Sequence, residues 1–166
     1  MNRPTTLQYG DYRITTDRTL FDVAAVHRYL SEESYWAQGI PFELVERSFE
    51  HSFVIGVLHG EEQVGYARLV TDYATFGYLA DVFVLDAHRG QGLSKKMMGL
   101  LMGLPWVGSL RHLLLATADA HGLYAQFGFA APARPERLMQ IIKSNPYITS
   151  TSGQSSLVSD PPVSES

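Results

Sequence analysis

Cysteine is absent from this chain, which removes disulfides, thiolate-ligated metals and a cysteine nucleophile from consideration and fits a reducing cytoplasm. Long hydrophobic runs are missing too. The most apolar stretches, Leu100–Leu104 and Leu113–Ala116, fall far short of a bilayer span, so a soluble protein with no membrane partner is expected. Residues Met1–Asp11 are polar and lack the apolar core of a secretion signal. Neither charge dominates: 13 Lys and Arg against 17 Asp and Glu leave a formal charge of -4, so no nucleic-acid surface is expected. None of the six histidines stands in a His-x-His or His-x-x-x-His pair, which argues against a metal site. Residues 149–166 lack aromatic and basic side chains and are rich in Ser, with Pro161 and Pro162. They read as a disordered tail behind one domain over residues 1–148.

What is present is globular, with 45% hydrophobic and 18% charged residues in a 166-residue chain. Tyr12–Thr16 alternates as a strand. Thr19, with Asp22 three residues on, reads as a box-like helix start before the apolar positions Val23, Val26, Tyr29 and Leu30. Pro41 suits the first residue of a second helix that carries Phe42, Val45 and Phe49 on one face. Phe53–Leu58 and Gln63–Thr71 flank the turn His59-Gly60-Glu61-Glu62 as a hairpin. Tyr78–Leu85 reads as a strand buried on both faces, and Gly92–Leu104 as a helix ended by Pro105 and Gly108. A buried strand at His112–Ala116, a helix at Ala120–Phe127 closed by Gly128, and a last strand at Arg137–Lys143 complete the order. The order is β-α-α-β-β-β-α-β-α-β: an α/β fold with a mixed, mostly antiparallel sheet and about four helices.

The segment from Leu79 to Lys96 runs from an apolar strand through Arg89-Gly90-Gln91-Gly92-Leu93-Ser94 into a helix. Glycines admit close backbone approach, and free N–H groups at a helix start attract an anion such as a pyrophosphate. A Walker A loop is ruled out by spacing, and a dinucleotide fingerprint lacks its third glycine at Lys95. Lys95 and Lys96 oppose the helix dipole by roughly 0.3–1 kcal/mol each when exposed, a cost that a bound polyanion reverses.

Arg89-Gly90-Gln91-Gly92-Leu93-Ser94 resembles the cofactor motif [Gln/Arg]-x-x-Gly-x-[Gly/Ala] of the GNAT superfamily of N-acetyltransferases. Leu123-Tyr124-Ala125-Gln126-Phe127-Gly128-Phe129 is similar to that family's Leu-Tyr-x-x-x-Gly-Phe, and the likeness spans roughly residues 12–143. Two positions depart from the pattern: Ser94 closes the loop motif, and Thr117 stands where many members have Asn. The resemblance implies acetyl-CoA as cosubstrate, with its pyrophosphate on Arg89, Gly90, Gln91, Gly92, Leu93, Ser94 and Lys95. It also implies that Phe83 and Val84 offer amides to the pantetheine and that Tyr124 protonates the leaving thiolate. The general base is left between Asp81 and His121. Tyr35 and Trp36, beside Glu32 and Glu33, suit a cationic amine acceptor, although they equally suit a loop anchor. The implied protein is an N-acetyltransferase acting on a primary amine of a small molecule or peptide, without metal and with room for a homodimer. A degenerate acyl-CoA-binding module is the alternative.

Overall fold

The computed structural model describes residues 3–144 and 146–148, so the predicted tail at 149–166 lies outside the described residues. Six strands form one sheet in chain order: β1 (Thr6–Tyr9), β2 (Tyr12–Thr15), β3 (Phe53–His59), β4 (Glu62–Thr71), β5 (Phe76–Val84) and β6 (His112–Leu115). Every pairing is antiparallel except β5 with β6, which is parallel. The predicted mixed, mostly antiparallel sheet is present. The helices are α1 (Val23–Arg28), α2 (Phe42–Glu50), α3 (Leu93–Met102), α4 (Pro105–Gly108) and α5 (His121–Ala125).

The sheet separates two cores. Ile14, Ile55, Val57 and Val64 meet Met97, Met98 and Leu101 of α3 on one side. On the other, Val54, Tyr66 and Phe83 meet Val26 and Leu30 from the first helical run and Val45 and Phe49 of α2. The hydrophobic period read from the sequence is therefore met in α2 by Val45 and Phe49, whereas Phe42 stays partly exposed against His27.

Four local readings change. β1 is an added strand: Gly10, at φ 57, turns it back onto β2, and all four of its residues are exposed, which hides it from a hydrophobicity pattern. The cap of α1 is Asp22, whose side chain accepts from the Ala24 N–H, while Asp17 caps a separate 3-10 turn over Arg18–Leu20. Pro105 ends α3 by starting α4. The last strand, Arg137–Lys143, does not form among the described residues. Pro135–Arg137 make one 3-10 turn, and the residues after it have no strand beside them to supply a ladder of hydrogen bonds. With β1 added and this strand gone, the order of elements differs from the expected one at both ends.

Candidate active site

The site is organised around β5. Its partner β6 stops early: pairing runs from Phe76↔His112 to Leu79↔Leu115, and β5 continues alone on that side through Ala80–Val84. On the β4 side the register shifts, so that Ala67 faces both Asp81 and Val82. This is a β-bulge, and its extra residue Asp81 adopts φ 54, a left-handed backbone that a non-glycine residue takes only when its surroundings hold it there. Two partners do so. Both Asp81 carboxylate oxygens accept: Oδ2 from Arg68 Nε at 2.5 Å, and Oδ1 from Trp36 Nε1 at 2.9 Å. The Arg68 partner sits on the neighbouring strand. The charge inside an apolar strand is thus paired, and it fastens the loop between α1 and α2 over β5.

That loop follows a π-helical turn, Tyr29–Glu33, which buries Tyr29 and Leu30. Tyr29 stacks on Phe83 at a centroid distance of 3.9 Å. Tyr35, largely exposed, meets Trp36 edge-on at 5.0 Å. Glu32 and Glu33 lie in the preceding turn. Tyr35 also lies close enough to Tyr124 of α5 for its hydroxyl to act on it electrically. Tyr124 is buried, and burial first, then Tyr35 and the Asp119 carboxylate, push its phenol above the ordinary value. His121 starts α5 and is exposed. Thr117, the departure from the expected Asn, accepts a bond from the Ala120 N–H at 3.0 Å and so anchors the turn into α5. The folded chain therefore brings Tyr35, Trp36 and Asp81 together over β5, with Tyr124 near Tyr35.

At the far end of β5 a short turn, Asp86–His88, leads into the glycine loop. Arg89 holds it: Nε donates to the Val84 carbonyl at 3.0 Å, Nη2 to the Tyr29 hydroxyl at 3.1 Å, and Nη1 pairs with Asp86 at 2.6 Å. Burial raises the Tyr29 phenol, with Arg89 opposing that shift. Gly90 and Gly92 take φ 77 and 74, and Gly92 stands directly before α3 without a side-chain cap. Ordinary L-residues resist this backbone. A Cβ at Gly90 would meet nothing within 4 Å, and one at Gly92 only the Tyr9 hydroxyl at 3.9 Å, so the space over the loop is open. Leu93 plugs the core at the helix start, while Lys95 is exposed and the Lys96 ammonium lies 4.6 Å over the Tyr9 ring. The first-turn N–H groups of α3 therefore face open space with positive charge beside it, an arrangement suited to a phosphate.

Sequence reasoning missed Tyr9, because β1 itself was missed. It also missed a convergence. His59, Glu62 and His88 each bring a ligand-capable atom within 4.8 Å of the others, beside the glycine loop, and Tyr12 Oη bonds His88 Nδ1 at 3.0 Å. Spacing along the chain cannot show this, since the three residues come from the β3–β4 turn and from the turn after β5.

Comparison with known proteins follows the same outline. The Acetyltransferase (GNAT) family profile matches residues 22–129. A Gibberella zeae protein named as a candidate acetyltransferase is 30% identical, aligning 76% of this chain with 82% of its own. A Xanthomonas campestris structure described as a candidate acetyltransferase of the GNAT family shares 46% identity with a TM-score of 0.81, over 83% of this chain and 97% of that one. A Clostridium acetobutylicum acetyltransferase structure with acetyl-CoA is 16% identical with a TM-score of 0.56, over 79% and 94%, a likeness of fold alone.

Proposed function

The chain belongs to the GNAT acetyltransferase family and is an acyltransferase, and on that premise we propose that it moves the acetyl group of acetyl-CoA to a primary amine by direct attack. The observation that carries this reading is the side of β5 left unpaired beyond Leu79, in a chain that also holds a buried phenol at Tyr124 and an uncapped, glycine-opened helix start after β5. The pyrophosphate rests on the N–H groups of the loop from Gly90 to Lys95, with Lys95 adding charge. The pantetheine follows the unpaired side of β5 past Phe83 and Val84 toward the bulge. The amine enters beside Tyr35 and Trp36, which Glu32 and Glu33 make attractive to a cation. The metal-like cluster of His59, Glu62 and His88 takes no step in this chemistry.

The amine nitrogen forms a bond to the thioester carbon, and the tetrahedral intermediate collapses with cleavage of the C–S bond. The sulfur leaves as a thiolate and receives the Tyr124 proton. The raised phenol is protonated throughout the neutral range and so holds the proton that the thiolate receives. The proton lost by the amine passes toward solvent by way of exposed His121. Asp81, with both oxygens occupied, holds Trp36 and the bulge in place rather than accepting that proton.

The test is a screen of primary amines with acetyl-CoA, read by release of free thiol. The protein contributes no thiol of its own. Turnover by the parent chain that falls roughly 10²–10⁴-fold in Tyr124→Phe, with CoA affinity kept, supports the assignment. A fully active Phe variant removes Tyr124 from the chemistry. CoA binding without turnover on any amine would mark the chain as an acyl-CoA-binding module.

A further inference from the structure

The register of three strands sets a row of side chains across one end of the sheet. Tyr12 of β2 stands opposite His59 of β3, and His59 stands opposite Glu62 of β4 across the turn Gly60-Glu61. Residues directly opposite one another in antiparallel strands point to the same face, so these three do. The 3-10 turn after β5 brings His88 to that row. The His59 and His88 rings lie 5.3 Å apart between centroids, tilted by 56° rather than stacked flat. One ligand-capable atom from each of His59, Glu62 and His88 lies within 4.8 Å of the other two.

Packing and pairing do not account for this convergence. Among the described residues no ion pair joins Glu62 to either imidazole, and both His59 and Glu62 are exposed. His88 is the half-buried member, and it is held in place. Tyr12 Oη bonds its Nδ1 at 3.0 Å, and the Tyr12 ring meets it edge-on at 5.7 Å. A hydrogen bond at one imidazole nitrogen fixes the ring and leaves the other nitrogen for a metal, the outer-shell support usual at histidine ligands.

We infer that His59, Glu62 and His88 form a binding site for a zinc-class divalent cation, with a fourth position left to water. Two imidazoles and one carboxylate suit a borderline transition metal and suit magnesium or calcium poorly, since those ions take oxygen shells. His88 offers Nε2, and its Nδ1–H donates to the Tyr12 oxygen. Ligand atoms around a tetrahedral zinc stand about 3.3 Å apart, given bonds of roughly 2.0–2.1 Å. Side-chain rotation at exposed His59 and Glu62 closes the remaining distance. The bound ion ties the turn before Arg89 to the β3–β4 hairpin. This site goes beyond the acetyltransfer reading and does not depend on it.

The experiment titrates the untagged, metal-free chain with zinc chloride by calorimetry and follows the imidazole C–H signals by NMR. The expected result is one zinc per chain at micromolar affinity, with the His59 and His88 signals moving and those of His51 and His112 unmoved. His59→Ala, Glu62→Gln and His88→Gln should each weaken binding roughly 10-fold or more, while His51→Ala and His112→Ala keep it. Glu62→Gln is an exposed, nearly isosteric change, so melting of that metal-free variant by circular dichroism should match the parent's. A parent chain that binds no zinc at tens of micromolar overturns the proposal, and magnesium bound as tightly as zinc overturns the class of cation. Zinc binding that moves other histidine signals instead, or that ignores all three ligand variants, is adventitious and overturns the site as well.

Discussion

The two ends of strand β5 meet the same demand in opposite ways. At its start, the turn from Thr71 to Phe76 gathers several N–H groups and supplies its own anion. Asp72 Oδ1 accepts from the backbone of Ala74 at 2.9 Å, Thr75 at 2.8 Å and Phe76 at 3.1 Å, and Oδ2 accepts from the Thr75 hydroxyl at 2.6 Å. These bonds, led by the Thr75 hydroxyl, hold the Asp72 carboxyl well below the usual carboxylate range. At the other end, Gly90 and Gly92 open a comparable set of N–H groups and no side chain caps them. One turn is complete when the chain has folded. The other stays open, as the proposed cofactor site requires, and the residue type at the key position, Asp72 or Gly92, decides which.

The largest effect should come from abolishing the open end. Gly92→Val forces a β-branched side chain into a left-handed backbone and fills the space over the loop. CoA affinity should fall by on the order of 100-fold or more, so that the rise in Tm given by saturating CoA disappears. Gly92→Asn separates the two causes, because Asn tolerates the left-handed region and still fills the space. It should keep most of the apo Tm and lose most of the CoA response. A Gly92→Val protein that binds CoA as the parent does would dissolve the contrast altogether.

A smaller effect is expected at the closed end. Asp72→Ala should lower the apo Tm by a few degrees and leave CoA affinity within about twofold of the parent. The pH dependence has a definite sign. A carboxyl depressed by folding contributes fully above its unfolded value of roughly 4 and loses that contribution as the pH falls through the folded value. The Tm gap between parent and Asp72→Ala should therefore be constant above about pH 5 and should close progressively in acid. A gap that widens in acid would show that the carboxylate is not the group being held.

Least of all should come from residues 149–166, which by composition belong to neither end. Deleting them should leave the Tm within about a degree and CoA affinity unchanged. A large loss would move the domain boundary beyond residue 148.

Most of the candidate site was legible because its signals are local. Gly90 and Gly92 lie two residues apart at a helix start, and Tyr124 stands in a seven-residue motif, so chain distance and spatial distance coincide. What escaped is non-local. Asp81 stood out as a charge in an apolar strand, but its partners Arg68 and Trp36 lie 13 and 45 residues away. His59, Glu62 and His88 meet across two turns for the same reason. β1 escaped differently, since a strand with every residue exposed carries no hydrophobic period to read. The reading of Arg137–Lys143 as a strand took its pattern at face value, but pattern records a capacity for pairing and pairing needs a neighbour.

Arg89 carries one further consequence. Its guanidinium is shared among the Val84 carbonyl, the Tyr29 hydroxyl and Asp86, so the loop's most conspicuous cation is engaged in holding shape. On the proposed reading, recognition at this loop is then written mainly in main-chain geometry, which every amino acid shares. Such a site is robust to drift at Gln91 or Ser94, whose side chains leave the backbone path unaltered. It is brittle at Gly90, Gly92 and Arg89, where a single codon change bends the path itself. The tolerance of this loop to inherited variation should be uneven residue by residue, following the backbone angles rather than the polarity of the side chains.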